Sequence, residues 1–545
     1  MNFSNLHRAS FIQQLTSQEF DLLVVGGGIT GCGIALDAAL RGMKVALVEK
    51  NDFASGTSSR STKLIHGGLR YLKQFEFKLV RDVGTERAVV HRNARHLVIP
   101  EKMLLPIIKG GSLNEFSTSI GLLVYDLLAG VKKGERRIML DRHATLKAEP
   151  LLNAANLLGG GLYFEYRTDD SRLTIELAKS AFANGALFLN YAELKGFLQT
   201  PSGKICGAKI EDKTEGGEFD IRAKVVVNAC GPWVDLLRKK DNSLRGKRLQ
   251  LTKGVHLVFP HSKLPLQQAA YFDTADGRMI FAIPRNNITY VGTTDTVYNQ
   301  EIDAPKCMRD DAQYLLNAVN SAFVNVNLQV SDIESTWAGL RPLIHEDGKS
   351  PSELSRKDEI MISESGLVSI AGGKLTGYRL MAEKIVDLAA KTLGKHYGKC
   401  KTKNYLLCGG IFEDDIAFQK ALKDATMLGE PASIPESKVH EWFFRYGSNT
   451  QKIIENVASL SSAIKEPETL FNSAEVKYAV EHEMVMELND FLIRRTGKIF
   501  FDKPQSEKQI PLLAEMLGDY LKLTPEKQTA IVENTLREYV LATTL

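Results

Sequence analysis

The chain has 545 residues, of which 44% are hydrophobic and 25% are charged, and its formal net charge is +4. These proportions are typical of folded globular proteins and exclude disordered, collagen-like and coiled-coil classes for the chain as a whole. The length predicts roughly three to four domains at about 150 residues each. The small net charge does not support nucleic-acid binding, so we expect no nucleic-acid partner.

Charge is nevertheless unevenly distributed along the chain. Residues 410–545 contain 15 basic and 22 acidic residues, so residues 1–409 have a net charge of +11. The segment from Arg60 to Lys102 contains ten basic and four acidic residues. A basic N-terminal region suits an anionic substrate, an anionic cofactor or an anionic membrane surface.

The sequence predicts neither export nor a membrane span. Residues 1–20 lack the apolar core of a signal peptide. No apolar run approaches the roughly 20 residues needed to cross a bilayer. The six cysteines are scattered without a C-x-x-C pair or a zinc-ligand spacing. This pattern favours a reducing, cytoplasmic compartment and predicts no metal site.

The first predicted elements are a buried strand over residues 21–26, a helix over 29–42 and a second buried strand over 44–49. Both strands are short continuous apolar runs, and Gly42 ends the helix. A strand, a helix and a strand in this order are typical of a βαβ unit in a parallel sheet.

A glycine motif lies between the first strand and the helix. In this motif Gly26 permits a tight turn, Gly28 lets the backbone approach a pyrophosphate, and Gly31 lets helix and strand pack closely. Phosphates bind at the N-terminus of such a helix because its free amides and its dipole favour anions. Glu49 ends the second strand, where a carboxylate accepts hydrogen bonds from a ribose diol. We therefore predict dinucleotide binding by Gly26, Gly27, Gly28, Gly31 and Glu49, against the alternative of a plain tight turn.

The segment after Glu49 indicates which dinucleotide is bound. A nicotinamide-binding domain normally continues with further βαβ units, whereas a loop rich in serine and threonine follows here over 51–70. Hydroxyl and amide groups in such a loop suit a long dinucleotide stretched across the sheet, so FAD is favoured over NAD. The candidate cofactor-binding residues of the loop are Thr57, Ser58, Ser61, Thr62, Lys63 and Leu64.

The pattern changes further along the chain. A helix with a basic outer face is predicted over 74–97, and a strand, a helix and a strand are predicted over 162–190. Asp169 and Asp170 precede the helix of this second unit and are expected to cap it. Antiparallel strands are predicted over 250–300, which indicates a second, β-rich domain. The last part of the chain is helical and acidic.

Buried strands of the first type return over 224–229 and 366–371. The second of these ends in a glycine turn at the start of a helix, where the helix N-terminus and Lys374 offer positive potential to a reduced, anionic flavin ring. The alternative is a turn that simply needs glycine flexibility. The candidate cofactor-binding residues after the two strands are Gly231, Gly372, Gly373, Leu375 and Thr376. Trp233 is expected to serve packing.

Several of these segments together resemble one protein family. VGGGITGCGIALDAALRG (25–42), SSRSTKLIHGGLRYL (58–72) and GGKLTGYRLMA (372–382) are similar to signature segments of FAD-dependent glycerol-3-phosphate dehydrogenases. Further similar segments are CGPWVD (230–235), KGVHLVFP (253–260), VGTTD (291–295), WAGLRPL (337–343), YGSN (446–449) and EVKYAVEHEMVMELNDFLIRRTG (475–497). The resemblance covers nearly the whole chain in order.

The resemblance implies an α/β fold of the amino-acid-oxidase flavoprotein type. Its Rossmann-like FAD-binding domain would comprise residues 1–98, 160–245 and 340–395. An inserted β-rich substrate domain would comprise 99–159 and 246–339, and a helical C-terminal domain would comprise 400–545.

The family also implies an activity. It oxidises sn-glycerol 3-phosphate to dihydroxyacetone phosphate, reduces FAD and passes the electrons to a membrane quinone. An alternative within the same class is an oxidase that reduces oxygen to hydrogen peroxide. Two further alternatives are a related amine or amino-acid oxidase and a flavin-binding scaffold without turnover.

The substrate of this family carries a phosphate dianion, which the forked guanidinium of arginine binds in pairs of hydrogen bonds. By resemblance, Arg341 and Arg70 are the first candidates for this role. Arg356 and Lys374 come next, and Tyr71 belongs to the same pocket. A surface ion pair is the alternative for each arginine.

Oxidation of the alcohol requires a base for the hydroxyl proton, and a neutral histidine suits this task near pH 7. The two candidates are His66 in the loop motif and His256 in KGVH. A structural histidine in a packed loop is the alternative for each. With Arg341 and Lys374 they make up the predicted catalytic set.

An apolar stretch within residues 103–131 is followed by Lys132, Lys133, Arg136 and Arg137. Such a stretch suits either the headgroup layer of an anionic membrane or a buried helix. The quinone dependence of the family favours peripheral association with the cytoplasmic membrane. The sequence leaves open whether the C-terminal domain braces the FAD domain, forms a homodimer or binds a partner.

Overall fold

The computed structural model describes residues 1–66, 77–111, 122, 133–345 and 358–545. Three predicted substrate-binding residues, Arg70, Tyr71 and Arg356, lie outside these ranges. Most of the apolar stretch proposed for the membrane also lies outside them.

The strands are β1 (Glu19–Val25), β2 (Val45–Val48), β3 (Leu64–Ile65), β4 (Ile99–Ile108), β5 (Ile138–Asp141), β6 (Leu157–Arg167), β7 (Leu187–Leu189), β8 (Ala192–Gln199), β9 (Ile205–Asp212), β10 (Glu218–Asn228), β11 (Leu249–Pro260), β12 (Ala269–Asp273), β13 (Met279–Arg285), β14 (Ile288–Gly292), β15 (Thr296–Val297), β16 (Ser335–Ile344), β17 (Glu359–Ile362) and β18 (Val368–Ala371).

The α-helices are α1 (Arg8–Ser17), α2 (Ile29–Leu40), α3 (Phe77–Asn93), α4 (Arg142–Ala148), α5 (Asp170–Ala183), α6 (Val234–Lys240), α7 (Arg309–Ala322), α8 (Tyr378–Leu393), α9 (Asp415–Gly429), α10 (Glu436–Tyr446), α11 (Thr450–Leu460), α12 (Pro467–His482), α13 (Lys498–Phe501), α14 (Lys503–Leu521) and α15 (Pro525–Thr543). A π-helical segment, Asp490–Arg495, lies between α12 and α13.

The first sheet has the strand order β17-β18-β10-β1-β2-β7, and β8 and β9 extend it beside β10. Strand β1 pairs in parallel with both β2 and β10, and β10 pairs in parallel with β18. The central residues of β1 are fully buried, as expected for a parallel strand covered on both faces. The predicted βαβ unit of β1, α2 and β2 is therefore confirmed.

The second sheet is mainly antiparallel and has the order β15-β11-β14-β13-β12-β4-β6-β3, with β16 beside β11 and β5 beside β6. The antiparallel strands predicted over 250–300 are confirmed, because β11 pairs with β14 and β13 pairs with β14.

Two predicted domain boundaries cut strands of this second sheet. Strand β6 pairs with β4 rather than with the parallel sheet, so the boundary at residue 160 falls inside it. Strand β16 pairs with β11 along ten residue pairs, so the boundary at residue 340 also falls inside a strand. Both strands are largely buried. Hydrophobic pattern alone does not tell which of two buried sheets such a strand joins.

The start of the apolar stretch at residues 103–108 belongs to the core of this sheet. Met103, Leu104, Leu105 and Ile107 are fully buried in β4. This part of the stretch is a β-strand and not a helix. It offers no surface to lipid, because its apolar side chains are buried within the protein. Residues 112–121 and 123–132 lie outside the described ranges.

The C-terminal helices pack against the second sheet as well as against one another. The ring centroids of Phe500 and Phe501 lie 5.5 and 5.7 Å from the ring centroid of Trp337 on β16. Helices α9 to α12 enclose a separate core around Trp442 and Tyr446. Within the described part of the chain, no helix has both the length and the apolar character needed to cross a membrane.

Candidate active site

The carboxyl ends of the parallel strands open into a cavity that both sheets line. Residues directly after β1, β10 and β18 lie on one side of it, and residues of β11 and β16 lie on another. Open α/β sheets bind their ligands at this edge, where the carboxyl ends of parallel strands meet. The two glycine motifs, which are distant in sequence, therefore share one site.

Two glycines shape the turn between β1 and α2. Gly26 has a φ of +114°, and a Cβ at this position would lie 2.7 Å from the carbonyl oxygen of Ala229. A Cβ on Gly31 would lie 1.9 Å from the carbonyl oxygen of Gly26, so helix α2 packs directly on the turn. Neither position has room for a larger residue. Gly26 and Gly28 line the cavity, whereas Gly31 lies behind the turn.

Glu49 lines the cavity beside this turn. One carboxylate oxygen accepts a hydrogen bond from the amide of Gly27 at 2.6 Å, and the other accepts one from the amide of Asn51 at 2.9 Å. Burial raises the pKa of Glu49, and the two amide hydrogen bonds oppose that rise. Gly27 holds the carboxylate without lining the cavity itself. Each carboxylate oxygen keeps a lone pair for the hydroxyl groups of a ribose.

Most of the serine- and threonine-rich loop also lines the cavity. The residues concerned are Thr57, Ser58, Ser61, Thr62 and Leu64. The Ser58 hydroxyl accepts a hydrogen bond from the amide of Ile29 at the start of α2, at 3.0 Å. The Thr57 hydroxyl donates to the carbonyl oxygen of Leu340 on β16, at 2.7 Å. The loop thus connects the N-terminus of α2 with the second sheet.

Lys63 does not line the cavity, in contrast to its predicted role in cofactor binding. Its buried ammonium group lies 2.6 Å from a carboxylate oxygen of Asp170 and donates to the carbonyl oxygen of Ser59 at 3.0 Å. The other oxygen of Asp170 accepts hydrogen bonds from the amide and hydroxyl of Ser61. Asp169 caps helix α5 as predicted. Lys63 and Asp170 therefore support the loop, a contact between distant residues that a local motif does not show.

The second glycine motif lines the same cavity. Gly372, Gly373, Lys374, Leu375 and Thr376 all contribute to it, together with Gly231 after β10. The Thr376 hydroxyl donates to the carbonyl oxygen of His66 at 3.2 Å. This hydrogen bond joins the second glycine motif to the end of the loop.

The residues present fit FAD. The cavity offers a helix N-terminus for a pyrophosphate, a carboxylate for a ribose and a glycine turn with a lysine for a flavin ring. The indole Nε1 of Trp233 is buried and has no hydrogen-bond partner among the described residues. Trp233 lines the cavity rather than serving packing alone, and the ammonium group of Lys50 lies 4.5 Å from its ring centroid.

His256 lines the cavity from β11. Its Nε2 lies 3.0 Å from the hydroxyl oxygen of Thr62, and its ring stacks on Trp337 with centroids 4.7 Å apart. Burial lowers the pKa of His256 well below its usual value of 6.5, and the positive charges of Arg341 and Lys63 lower it further. The imidazole is therefore neutral near pH 7.

His66 lines the same cavity at the end of the loop. Its ring centroid lies 6.1 Å from that of Phe281 on β13. The structure thus brings both predicted histidines to one site and does not choose between them by position.

Arg341 enters the cavity from β16. One terminal nitrogen donates to a carboxylate oxygen of Asp295 and to the carbonyl oxygen of Thr294, each at 3.2 Å. The other donates to the hydroxyl of Thr293 at 3.1 Å. These contacts orient the guanidinium, and the Arg341 side chain is 23% exposed. Lys374 lines the same cavity from the second glycine motif.

Arg60 is a cavity residue that the sequence reasoning missed. Arg60 lines the cavity and lies within the SSRSTK segment. The resemblance of this segment to the family was the signal that could have identified Arg60 as a site residue. Its Nε is buried and has no partner in the described ranges. Burial lowers the pKa of Arg60 from its ordinary value. Arg60 therefore joins Lys50, Lys240, Arg341 and Lys374 as cations that line the cavity.

Comparison with known proteins gives two family matches. Residues 21–379 match the family model described as FAD dependent oxidoreductase, and residues 400–528 match the model described as the C-terminal domain of alpha-glycerophosphate oxidase. Together the two models span both sheets and most of the helical domain.

Full-length relatives give a finer assignment. An aerobic glycerol-3-phosphate dehydrogenase of Bacillus subtilis is 53% identical over 92% of this chain and 91% of its own length. One of Staphylococcus haemolyticus is 49% identical over 97% of this chain and 96% of its own length. The crystal structure of the glycerol-3-phosphate dehydrogenase from Bacillus halodurans complexed with FAD is 42% identical, has a TM-score of 0.86, and covers 99% of this chain and 98% of its own.

More distant structures support the fold alone. An L-alpha-glycerophosphate oxidase from Mycoplasma pneumoniae is 19% identical, with a TM-score of 0.54 over 71% of this chain and 98% of its own. The motifs, the cavity and the relatives agree, and the chain therefore belongs to the family of FAD-dependent glycerol-3-phosphate dehydrogenases, with FAD as its cofactor.

Proposed function

We propose that the protein oxidises sn-glycerol 3-phosphate to dihydroxyacetone phosphate and passes the electrons to a membrane quinone. The observation that carries this proposal is the meeting of Arg341, Lys374 and the neutral base His256 in the cavity that fits FAD. The names of the full-length relatives support the same substrate.

The cations of the cavity are proposed to bind the phosphate. Arg341 presents an oriented guanidinium, whose fork binds phosphate oxygens in pairs. Lys374 adds a second positive charge on another element. Arg70, Tyr71 and Arg356 lie outside the described residues and are proposed to complete the binding site.

His256 is proposed as the base that takes the hydroxyl proton, with His66 as the second candidate. The hydroxyl of Thr62 and the ring of Trp337 fix the imidazole in place. FAD, when bound, accepts the hydride that leaves the substrate carbon. The protein's own part is to bind the phosphate, orient the alcohol and hold the proton on the imidazole.

This assignment predicts how the rate depends on pH. Because the pKa of His256 lies well below 6.5, the neutral form persists as the pH falls through that value. The limiting rate of flavin reduction at saturating sn-glycerol 3-phosphate, which excludes protonation of the free substrate phosphate, should therefore show no loss centred near pH 6.5 and should fall only at lower pH. Stopped-flow reduction between about pH 5 and 8 measures this. An acid limb centred at or above 6.5 would contradict His256 as the base.

The direct test of the substrate is an anaerobic titration of the purified yellow protein. Adding sn-glycerol 3-phosphate should bleach the flavin absorbance rapidly, whereas glycerol and amino acids should leave it unchanged. A protein that stays yellow with the phosphate ester would overturn the substrate proposal. It would leave the fold and the cofactor intact.

The same experiment tests the electron acceptor and the proposed location at the cytoplasmic membrane. The reduced protein is mixed with anionic lipid vesicles that contain a quinone, or with oxygen alone. The proposal expects rapid return of the yellow colour with the quinone vesicles, cosedimentation with them, and weaker binding at high salt. Fast reoxidation by oxygen with stoichiometric hydrogen peroxide would identify an oxidase instead.

A further inference from the structure

The C-terminal domain contacts the FAD-binding domain through two consecutive arginines. They lie at the end of the π-helical segment Asp490–Arg495. The π-helix is rare in proteins overall, but it occurs frequently at functional sites. Arg494 Nε lies 2.5 Å from one carboxylate oxygen of Asp52, and Arg495 Nη1 lies 2.6 Å from the same oxygen. Arg495 Nη2 donates to the other oxygen of Asp52 at 2.9 Å. One carboxylate of the FAD-binding domain thus binds two guanidinium groups of the other domain.

The contact is closed to solvent. The side chains of Asp52 and Arg495 have no exposed surface, and that of Arg494 is 9% exposed. Burial would raise the pKa of Asp52, but the charges of Arg495 and Arg494 outweigh burial and hold it below its usual value. Arg494 also lies 2.5 Å from a carboxylate oxygen of Asp490, and Arg495 also donates to the carbonyl oxygen of Glu483 at 2.6 Å. Removing one member of such a buried charge network is strongly unfavourable. The contact between Asp52 and the two arginines therefore holds the two domains in one arrangement.

Asp52 belongs to the turn that carries the ribose-binding carboxylate. The amide of Asn51 donates to Glu49, and the amide of Ala54 donates to the carbonyl oxygen of Gly27 at 3.0 Å. Both Glu49 and Gly27 belong to the predicted dinucleotide site. Asp52 itself does not line the cavity, so it acts on the cofactor only through this turn.

We propose that Arg494 and Arg495 are positioning residues for FAD, which act through Asp52 on the turn from Glu49 to Ala54. The C-terminal domain thereby tightens cofactor binding, and bound FAD in return strengthens the docking of that domain. This coupling requires only FAD binding and is independent of the substrate proposal. Coupling between two binding events is reciprocal by thermodynamic necessity.

The first test compares two isosteric substitutions of fully buried carboxylates. Asp52→Asn removes the carboxylate that binds both arginines, and Glu475→Gln removes one that pairs with Arg445 inside the C-terminal domain. FAD is titrated into each apoprotein and followed by its fluorescence. We expect the Kd for FAD to rise about tenfold or more in the Asp52 variant and to stay within about twofold in the control. Equal Kd values in the two variants, at equal loss of thermal stability, would overturn the proposal.

The second test uses the unsubstituted chain, so it does not depend on a variant that folds. Amide hydrogen exchange is compared between the apoprotein and the FAD-loaded protein. We expect FAD to slow exchange in peptides that cover the π-helical segment and to leave helix α11 of the same domain unchanged. Equal exchange of the π-helical segment in both forms would overturn the proposal.

Discussion

Replacing Arg341 by alanine is expected to raise the Michaelis constant for sn-glycerol 3-phosphate at least about 30-fold while FAD stays bound. Truncating one partner of a desolvated, hydrogen-bonded charge pair costs about 2–5 kcal/mol, and about 2 kcal/mol corresponds to this factor. The side chain enters the cavity from β16 and is oriented by Thr293, Thr294 and Asp295. Steady-state kinetics and the flavin absorbance of the same preparation measure the two quantities.

A matched control for this experiment is Arg278→Ala. Arg278 belongs to the same domain and pairs with Asp276 near the surface, outside the cavity. We expect its Michaelis constant to match that of the unsubstituted protein. The Michaelis constant of Arg341→Lys should lie between those of Arg341→Ala and Arg278→Ala, because lysine keeps the positive charge but lacks the forked guanidinium. An unchanged Michaelis constant in Arg341→Ala would remove this residue from the phosphate site.

Replacing Glu49 by alanine is expected to yield protein depleted of flavin. The substitution removes the carboxylate that binds the Gly27 and Asn51 amides and that is predicted to bind the ribose. Each hydrogen bond to a charged group contributes about 1.5–3 kcal/mol, so loss of the ribose contact alone should raise the Kd for FAD about 10- to 100-fold. The ratio of flavin to protein absorbance after purification measures occupancy.

Glu149→Ala is the matched control for Glu49→Ala. Glu149 is a fully buried carboxylate away from the cavity, and like Glu49 it accepts hydrogen bonds from two backbone amides, those of Leu151 and Gln267. We expect this variant to lose stability to a similar extent and to retain its FAD. Full occupancy of Glu49→Ala at micromolar FAD would contradict the dinucleotide site after β1.

Much of the fold and the cofactor assignment could be predicted, because both depend on the spacing of residues that lie close together in the chain. The short apolar run before Gly26 and the spacing of Gly26, Gly28 and Gly31 predict a buried strand, a turn and a helix in that order. Glu49 lies at the end of the next predicted strand. The structure has these elements at β1, α2 and β2. A resemblance in motif order then extended the prediction to residues whose roles no local rule assigns, such as Arg341 and His256.

The sequence by itself therefore determined the dinucleotide motif, the class of cofactor and the residue types that line the cavity. The tertiary structure alone decided that β6 and β16 join the second sheet, that Lys63 pairs with Asp170, and that two C-terminal arginines bind Asp52. Turns and strands follow from interactions between near neighbours in the chain, which a sequence pattern records. The buried ion pairs join residues more than one hundred positions apart, and the strands β6 and β16 pair with strands that are also distant in the chain. Packing of the whole chain sets these contacts.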